Sequence, residues 1–95
     1  MSAHSIGPLR RCVILNDPMG LHPRPATAFA QIASSFESRV TVWYGEKPAN
    51  GKTAWDLMML VALPGAELIV EVEGPDAEDA MEPLLQILLI PMTDD

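Results

Sequence analysis

The chain has 95 residues, 48% of them hydrophobic, with six Lys and Arg set against thirteen Asp and Glu for a formal net charge of -7. That size supports one core but cannot enclose a deep cleft, so any chemistry must sit on an exposed ridge and face a macromolecular partner. The apolar content argues against a disordered tail, the acidic balance against a nucleic-acid partner, and the single cysteine, Cys12, excludes an internal disulfide. No spacing matches a zinc site, so neither metal nor cofactor is expected. The cytoplasm is the expected setting: Met1 to Arg11 lacks the apolar run of a signal peptide, and no apolar run approaches a membrane span.

Residues 1–9 are small or polar around Gly7 and Pro8 and read as a flexible lead-in, where His4 has no neighbours able to use it. From Arg10 a strand carries Val13 and Leu15 toward the core and Cys12 away from it, until Asn16, Asp17 and Pro18 turn the chain. The stretch Gly20, Leu21, His22, Pro23, Arg24, Pro25, Ala26 opens a helix, because a first-turn proline gives up only a backbone donor that no helical carbonyl awaits. The prolines place the helix start at His22. Ala26, Phe29, Ala30 and Ala33, extended by Ile32 and Phe36, then recur at helical spacing over about three turns.

Val40 and Val42 alternate with Arg39, Thr41 and Trp43 as a half-buried strand, and a turn at Tyr44, Gly45 and Glu46 leads to a short strand through Lys47 to Asn50, marked as an edge by Pro48. Trp43 and Tyr44 are expected to pack on the sheet. Thr53, with Asp56 three residues on, resembles a capping box and predicts a second helix over 54–63, ended by Pro64 and Gly65. Its Leu57, Leu60 and Val61 are expected against the sheet, with Met59 and Leu63 in the core as well. Leu68, Val70 and Val72 alternate with Glu67, Ile69, Glu71 and Glu73 as a strand with one solvated face. Asp76 is expected to cap a last helix with Ala77, Ala80, Met81, Leu84, Leu85 and Leu88 at core spacing, and Pro83 in its interior predicts a kink or a split. The order gives an α+β fold, three helices on one face of a four-stranded antiparallel sheet. This domain spans residues 10–90, followed by an acidic tail over 91–95.

The chemistry concentrates at His22. A neutral imidazole can attack a phosphoryl group, and the phosphoryl anion then gains from the positive end of the helix dipole, worth about 0.3–1 kcal/mol, and from the guanidinium of Arg24. So small a gain tunes a transferable group rather than trapping it, as a carrier requires. The motif holds no acid or base partner, no Gly-rich phosphate cradle and no carboxylate cluster for magnesium, so the chain would accept from one protein and donate to another.

These residues, Gly20, Leu21, His22, Arg24, Pro25 and Ala26, resemble the active-site stretch of the histidine-containing phosphocarrier (HPr) family of the bacterial sugar phosphotransferase system. The likeness continues through Asn50, Lys52, Thr53, Leu57 and Met58, then Gly65, Ala66 and Glu67, without gaps. The resemblance implies an open-faced β-sandwich with the βαββαβα order. It further implies that His22 is phosphorylated on its δ nitrogen by phospho-enzyme I, that Arg24 steadies the phosphoryl group, and that a histidine of an enzyme IIA receives it. Pro23 departs from the family by removing a backbone N–H, which leaves the amides of Arg24 and Ala26 and the guanidinium as the expected phosphate donors. Met19 departs as well, standing where a polar residue is common.

Thr53 aligns with the family's regulatory serine, which brings a dedicated kinase/phosphorylase in as a further partner. The plain alternative is that Thr53 only caps its helix, and Asp56 one turn away favours that, since a carboxylate repels an added phosphate. Ala54, Trp55 and Met58 match the family's partner-binding positions, and an exposed aromatic and methionine beside the histidine would form a docking patch. Two rivals follow from the same residues. One is a non-transferring interaction module in which His22 only caps its helix. The other is self-association through Ile87 to Ile90, against an expected monomer.

Overall fold

Seven elements follow the predicted order: β1 (Leu9–Ile14), α1 (Pro23–Ser34), β2 (Arg39–Tyr44), β3 (Lys47–Asn50), α2 (Ala54–Met59), β4 (Glu67–Glu73) and α3 (Ala77–Leu89). They come from a computed structural model that describes residues 7–91; the lead-in reading of His4 and most of the acidic tail lie outside the described residues. The strands form one sheet in the order β1-β4-β2-β3, every neighbouring pair antiparallel. Pro48 thus lies on an edge strand, where its missing N–H interrupts no second ladder.

Alternation decides which face is covered. Val13, Leu68, Val70, Val72, Val40 and Val42 are all buried under the helices, which contribute Phe29, Leu57, Leu84 and Leu88. The other face is open. There Trp43 is paired with Ile69 across the strands, and its indole N–H donates to Glu71 at 2.7 Å. Cys12 is exposed, as the alternation requires.

The helices depart from expectation in three places. α2 stops at Met59, with Leu60 as its C-cap, because Val61 takes a left-handed φ of 54° that ends the helical path. Val61 is therefore turned outward and 66% exposed instead of facing the sheet, and Met59 and Leu63 are likewise solvent-exposed rather than core. Thr53 and Asp76 hold the N-cap positions of α2 and α3, yet neither makes a side-chain cap bond. The Asp76 carboxylate instead crosses to the start of β2, accepting from the backbone amides of Glu37 and Ser38 at 2.9 Å each and from the Ser38 hydroxyl. Finally, Pro83 does not split α3, which runs unbroken from Ala77 to Leu89. Burial of Ala77, Ala80, Met81, Leu84 and Leu88 along one face outweighs the one hydrogen bond that the proline forfeits.

Candidate functional site

The loop 15–21 between β1 and α1 is pinned at several points by parts of the chain remote in sequence. Leu15 exchanges backbone hydrogen bonds with Gly65 and Ala66, donating to the Ala66 carbonyl and accepting from the Gly65 amide at 2.9 Å each. Asn16 donates to the carbonyl of Leu88 through its backbone and of Leu89 through its side chain, at the end of α3. Leu21 donates to the carbonyl of Ala62 at 3.1 Å. Gly20 is required here twice over: its φ is 73°, and a Cβ would come within 2.6 Å of the Ala62 carbonyl oxygen.

His22 follows as the N-cap of α1, with extended backbone, and its carbonyl accepts the first helical bond from the amide of Ala26 at 3.1 Å. That bond corrects the expected donor set, because the Ala26 amide is committed to the helix and is not a phosphate donor. Pro23 and Pro25 carry no N–H, so Arg24 is the sole residue of the first three in α1 that brings a backbone donor, and its side chain is exposed.

The imidazole is mostly enclosed, its side chain 16% exposed, and its Nε2 is fully buried. That nitrogen lies 3.2 Å from Oδ1 of Asp17, a carboxylate only 2% exposed. The approach is close but not aligned as a hydrogen bond, so among the described residues Nε2 has no hydrogen-bond partner of ordinary geometry. The same Oδ1 accepts from the amide of Met19 at 2.9 Å, and the Asp17 carbonyl accepts from Gly20 at 3.0 Å. An acid partner for the histidine therefore exists, five residues upstream and outside the motif. In the sequence, Asp17 before Pro18 signals only a turn. Nothing local reveals that its carboxylate folds inward.

Thr53 stands at the start of α2, which packs on α1, whereas the backbone bond from Leu21 of the histidine loop goes to Ala62, beyond the other end of that helix. At the start of α2, Asp56 accepts from the amide of Asn50 at 3.3 Å, and Lys52 donates its ammonium to the carbonyl of Phe36 at 2.8 Å. Of the expected docking residues, Trp55 is 66% exposed, while Ala54 and Met58 are half-buried against the core. Met19, Met59, Val61 and Leu63 are exposed too. The Leu21 to Ala62 bond sets the 61–63 segment directly against the histidine loop.

A family model described as the PTS HPr component phosphorylation site matches residues 9–89. The chain belongs to the HPr family. It is 34% identical over 76 residues to the phosphocarrier protein HPr of Mycoplasma capricolum, covering 80% of this chain and 85% of that one. The crystal structure of HPr from Bacillus anthracis superposes with a TM-score of 0.80 at 30% identity, covering 85% of this chain and 96% of the other. An HPr dimer from Thermoanaerobacter tengcongensis does so at 0.66 and 31%, covering 92% of each. The open-faced fold and the phosphocarrier role in a phosphotransferase system are thus those of the HPr family. Among the described residues no helix is long and apolar enough to cross a membrane.

Proposed function

We propose that His22 is the phosphoryl-accepting residue of a carrier charged by enzyme I and discharged to an enzyme IIA in the cytoplasm. The observation that carries this reading is the orientation of the ring at the helix N-terminus. With Nε2 buried against Asp17, the nitrogen left for an incoming phosphoryl donor is Nδ1. Transfer then breaks the N–P bond of the donor histidine and forms the Nδ1–P bond, the electron pair returning to the donor nitrogen. Arg24, one residue inside the helix, supplies the positive charge and the backbone amide that meet the phosphoryl oxygens. Trp55, flanked by half-buried Ala54 and Met58, forms the docking surface, extended by Met19, Met59, Val61 and Leu63. Burying a few such side chains contributes about 1.5–3 kcal/mol each, enough for a transient complex without new polar contacts.

Incubation with phosphoenolpyruvate and enzyme I should label the chain with an acid-labile phosphoryl group that is absent from His22→Ala. If several cognate enzymes leave no label, the carrier reading falls and the exposed apolar surface supports the rival, a non-transferring interaction module. Thr53 is the proposed target of a kinase/phosphorylase, a role supported by its lack of a capping bond, so its hydroxyl is not tied to the helix end. An acid-stable adduct formed with that kinase and ATP tests it. The carrier is proposed to act as a monomer, which light scattering at several concentrations checks against the dimer seen for the Thermoanaerobacter protein.

A further inference from the structure

The chain carries six methionines, and the fold treats those among the described residues unequally. Met81 is 6% exposed in the core and Met58 is half-buried against it, whereas Met19 is 67% and Met59 56% exposed. Apolar side chains left in water forgo the burial that stabilises a fold, so neither of these two is placed for the core. Both fall beside the histidine. Met19 lies three residues before His22, its backbone amide fixed on Oδ1 of Asp17 at 2.9 Å. Gly20, next in the chain, is packed so closely on Ala62, Leu63 and Pro64 that a Cβ there would touch all three, and that segment is the one that leaves α2 just after Met59. Trp55, Val61 and Leu63 are exposed on the same part of the molecule. A surface of this kind holds a partner by removing apolar groups from water, so its grip depends on its members staying apolar. Among these side chains the thioethers alone can turn polar by an oxidation that enzymes reverse.

We propose that Met19 and Met59 are sites of reversible oxidation by hydrogen peroxide, and that their sulfoxides weaken docking of the phosphoryl donor on the histidine surface. This rests on the reading of His22 as the acceptor and of the apolar surface beside it as the docking face. In the modification a sulfur lone pair attacks one peroxide oxygen, the O–O bond breaks and an S–O bond forms. The proton of the attached hydroxyl passes to the departing one, so the thioether gives up two electrons and the peroxide is reduced to water. The product is polar, and burying it against an apolar partner leaves its oxygen without a donor. His22 itself is unchanged, so transfer within a formed complex proceeds as before, and the loss falls on how long the encounter holds. Methionine sulfoxide reductases reverse the step, which gives the surface two interconvertible states.

The test treats the full chain with hydrogen peroxide, removes the oxidant, locates the added oxygen by peptide mass spectrometry and measures transfer from phosphorylated enzyme I. Met19 and Met59 should be oxidised well before Met81, the melting temperature should hold, and KM should rise by about tenfold or more with kcat little changed. Dithiothreitol alone should leave the loss in place, and methionine sulfoxide reductases added with it should restore transfer. Recovery with dithiothreitol alone would assign the loss to Cys12, the exposed thiol on the open face of the sheet, and overturn the proposal. A parental KM in a chain carrying both sulfoxides would overturn it too, as would oxidation of Met81 as early as Met19. In the double variant Met19→Gln, Met59→Gln, whose amides stand in for the sulfoxides, KM should already be raised and peroxide should raise it no further. A further tenfold rise there would place the sensitive group elsewhere. A parent that takes no label before oxidation would remove the carrier reading and this proposal with it, an outcome distinct from a labelled parent indifferent to its sulfoxides.

Discussion

Val61 holds a left-handed backbone with φ of 54°, a conformation that a β-branched side chain resists by about 1–3 kcal/mol. It gains little in return, being 66% exposed. Val61→Gly should therefore raise stability by about 1 kcal/mol, less than the full strain because glycine adds entropy to the unfolded chain. A urea midpoint that falls or stays constant would contradict this. Arg24 shows the opposite case, a residue on which much depends. With Pro23 and Pro25 carrying no amide and the Ala26 amide bound to His22, the proposed phosphate contacts would fall mainly on Arg24. Arg24→Ala should lower the transfer rate by about tenfold or more, the worth of one charge-assisted hydrogen bond. The loss should exceed that in a relative with an amide-bearing residue after the histidine, and equal losses in parallel assays would refute the argument.

Among the elements, α3 carries two features that a stability measurement can separate. Asp76, just before its first turn, ties the helix to the start of β2. The hydrogen bond from the Ser38 hydroxyl, followed by that from the Glu37 amide, holds its carboxyl below the ordinary value of 3.8. A carboxyl depressed in the folded state binds fewer protons there than in the unfolded chain. Its contribution is thus fully present above about pH 3.8 and is lost as pH falls through the lower folded value. The stability gap between the parent and Asp76→Asn should accordingly be widest above pH 4 and narrow on further acidification, roughly the pattern linkage requires. A gap independent of pH in acid denaturation series would exclude the carboxylate as its cause. Farther along, Pro83 leaves the Asp79 carbonyl without its helical donor inside an otherwise unbroken α3. Pro83→Ala should stabilise the protein by about 1–3 kcal/mol, and in a domain of this size each kilocalorie is worth about 4–8 °C in Tm. Circular dichroism should show little added helix, because the helix already continues through the proline.

At the scale of the whole molecule, the histidine loop is held by the ends of elements that come last in the chain. Leu88 is 1% exposed and its carbonyl receives the Asn16 amide, so its side chain fills the core while its backbone anchors the loop. Leu88→Ala should cost about 2–5 kcal/mol and slow transfer together, whereas Leu89→Ala, at 40% exposure, should do much less of either. Paired urea and transfer measurements check this, and a Leu88→Ala chain that transfers normally when folded would show the loop to be independent of α3.

Much of this protein follows from its sequence alone. The alternation of Val40, Val42, Leu68, Val70 and Val72, the helical spacing of Ala26, Phe29, Ala30 and Ala33, and the prolines after His22 are local patterns, and local geometry suffices to turn each into an element with a known buried face. That is why the order of elements, the edge position of β3 and the placement of His22 at a helix start were legible. The tertiary structure decided what depends on contacts between distant residues. Whether Asp76 caps its own helix or clasps Ser38, and whether Val61 continues α2 or ends it, is settled by competition among partners that no short window contains. The same holds for Asp17. Its place before Pro18 announces a turn, but only the packing of the loop against Ala62, Ala66 and Leu88 turns that carboxylate inward to meet the imidazole.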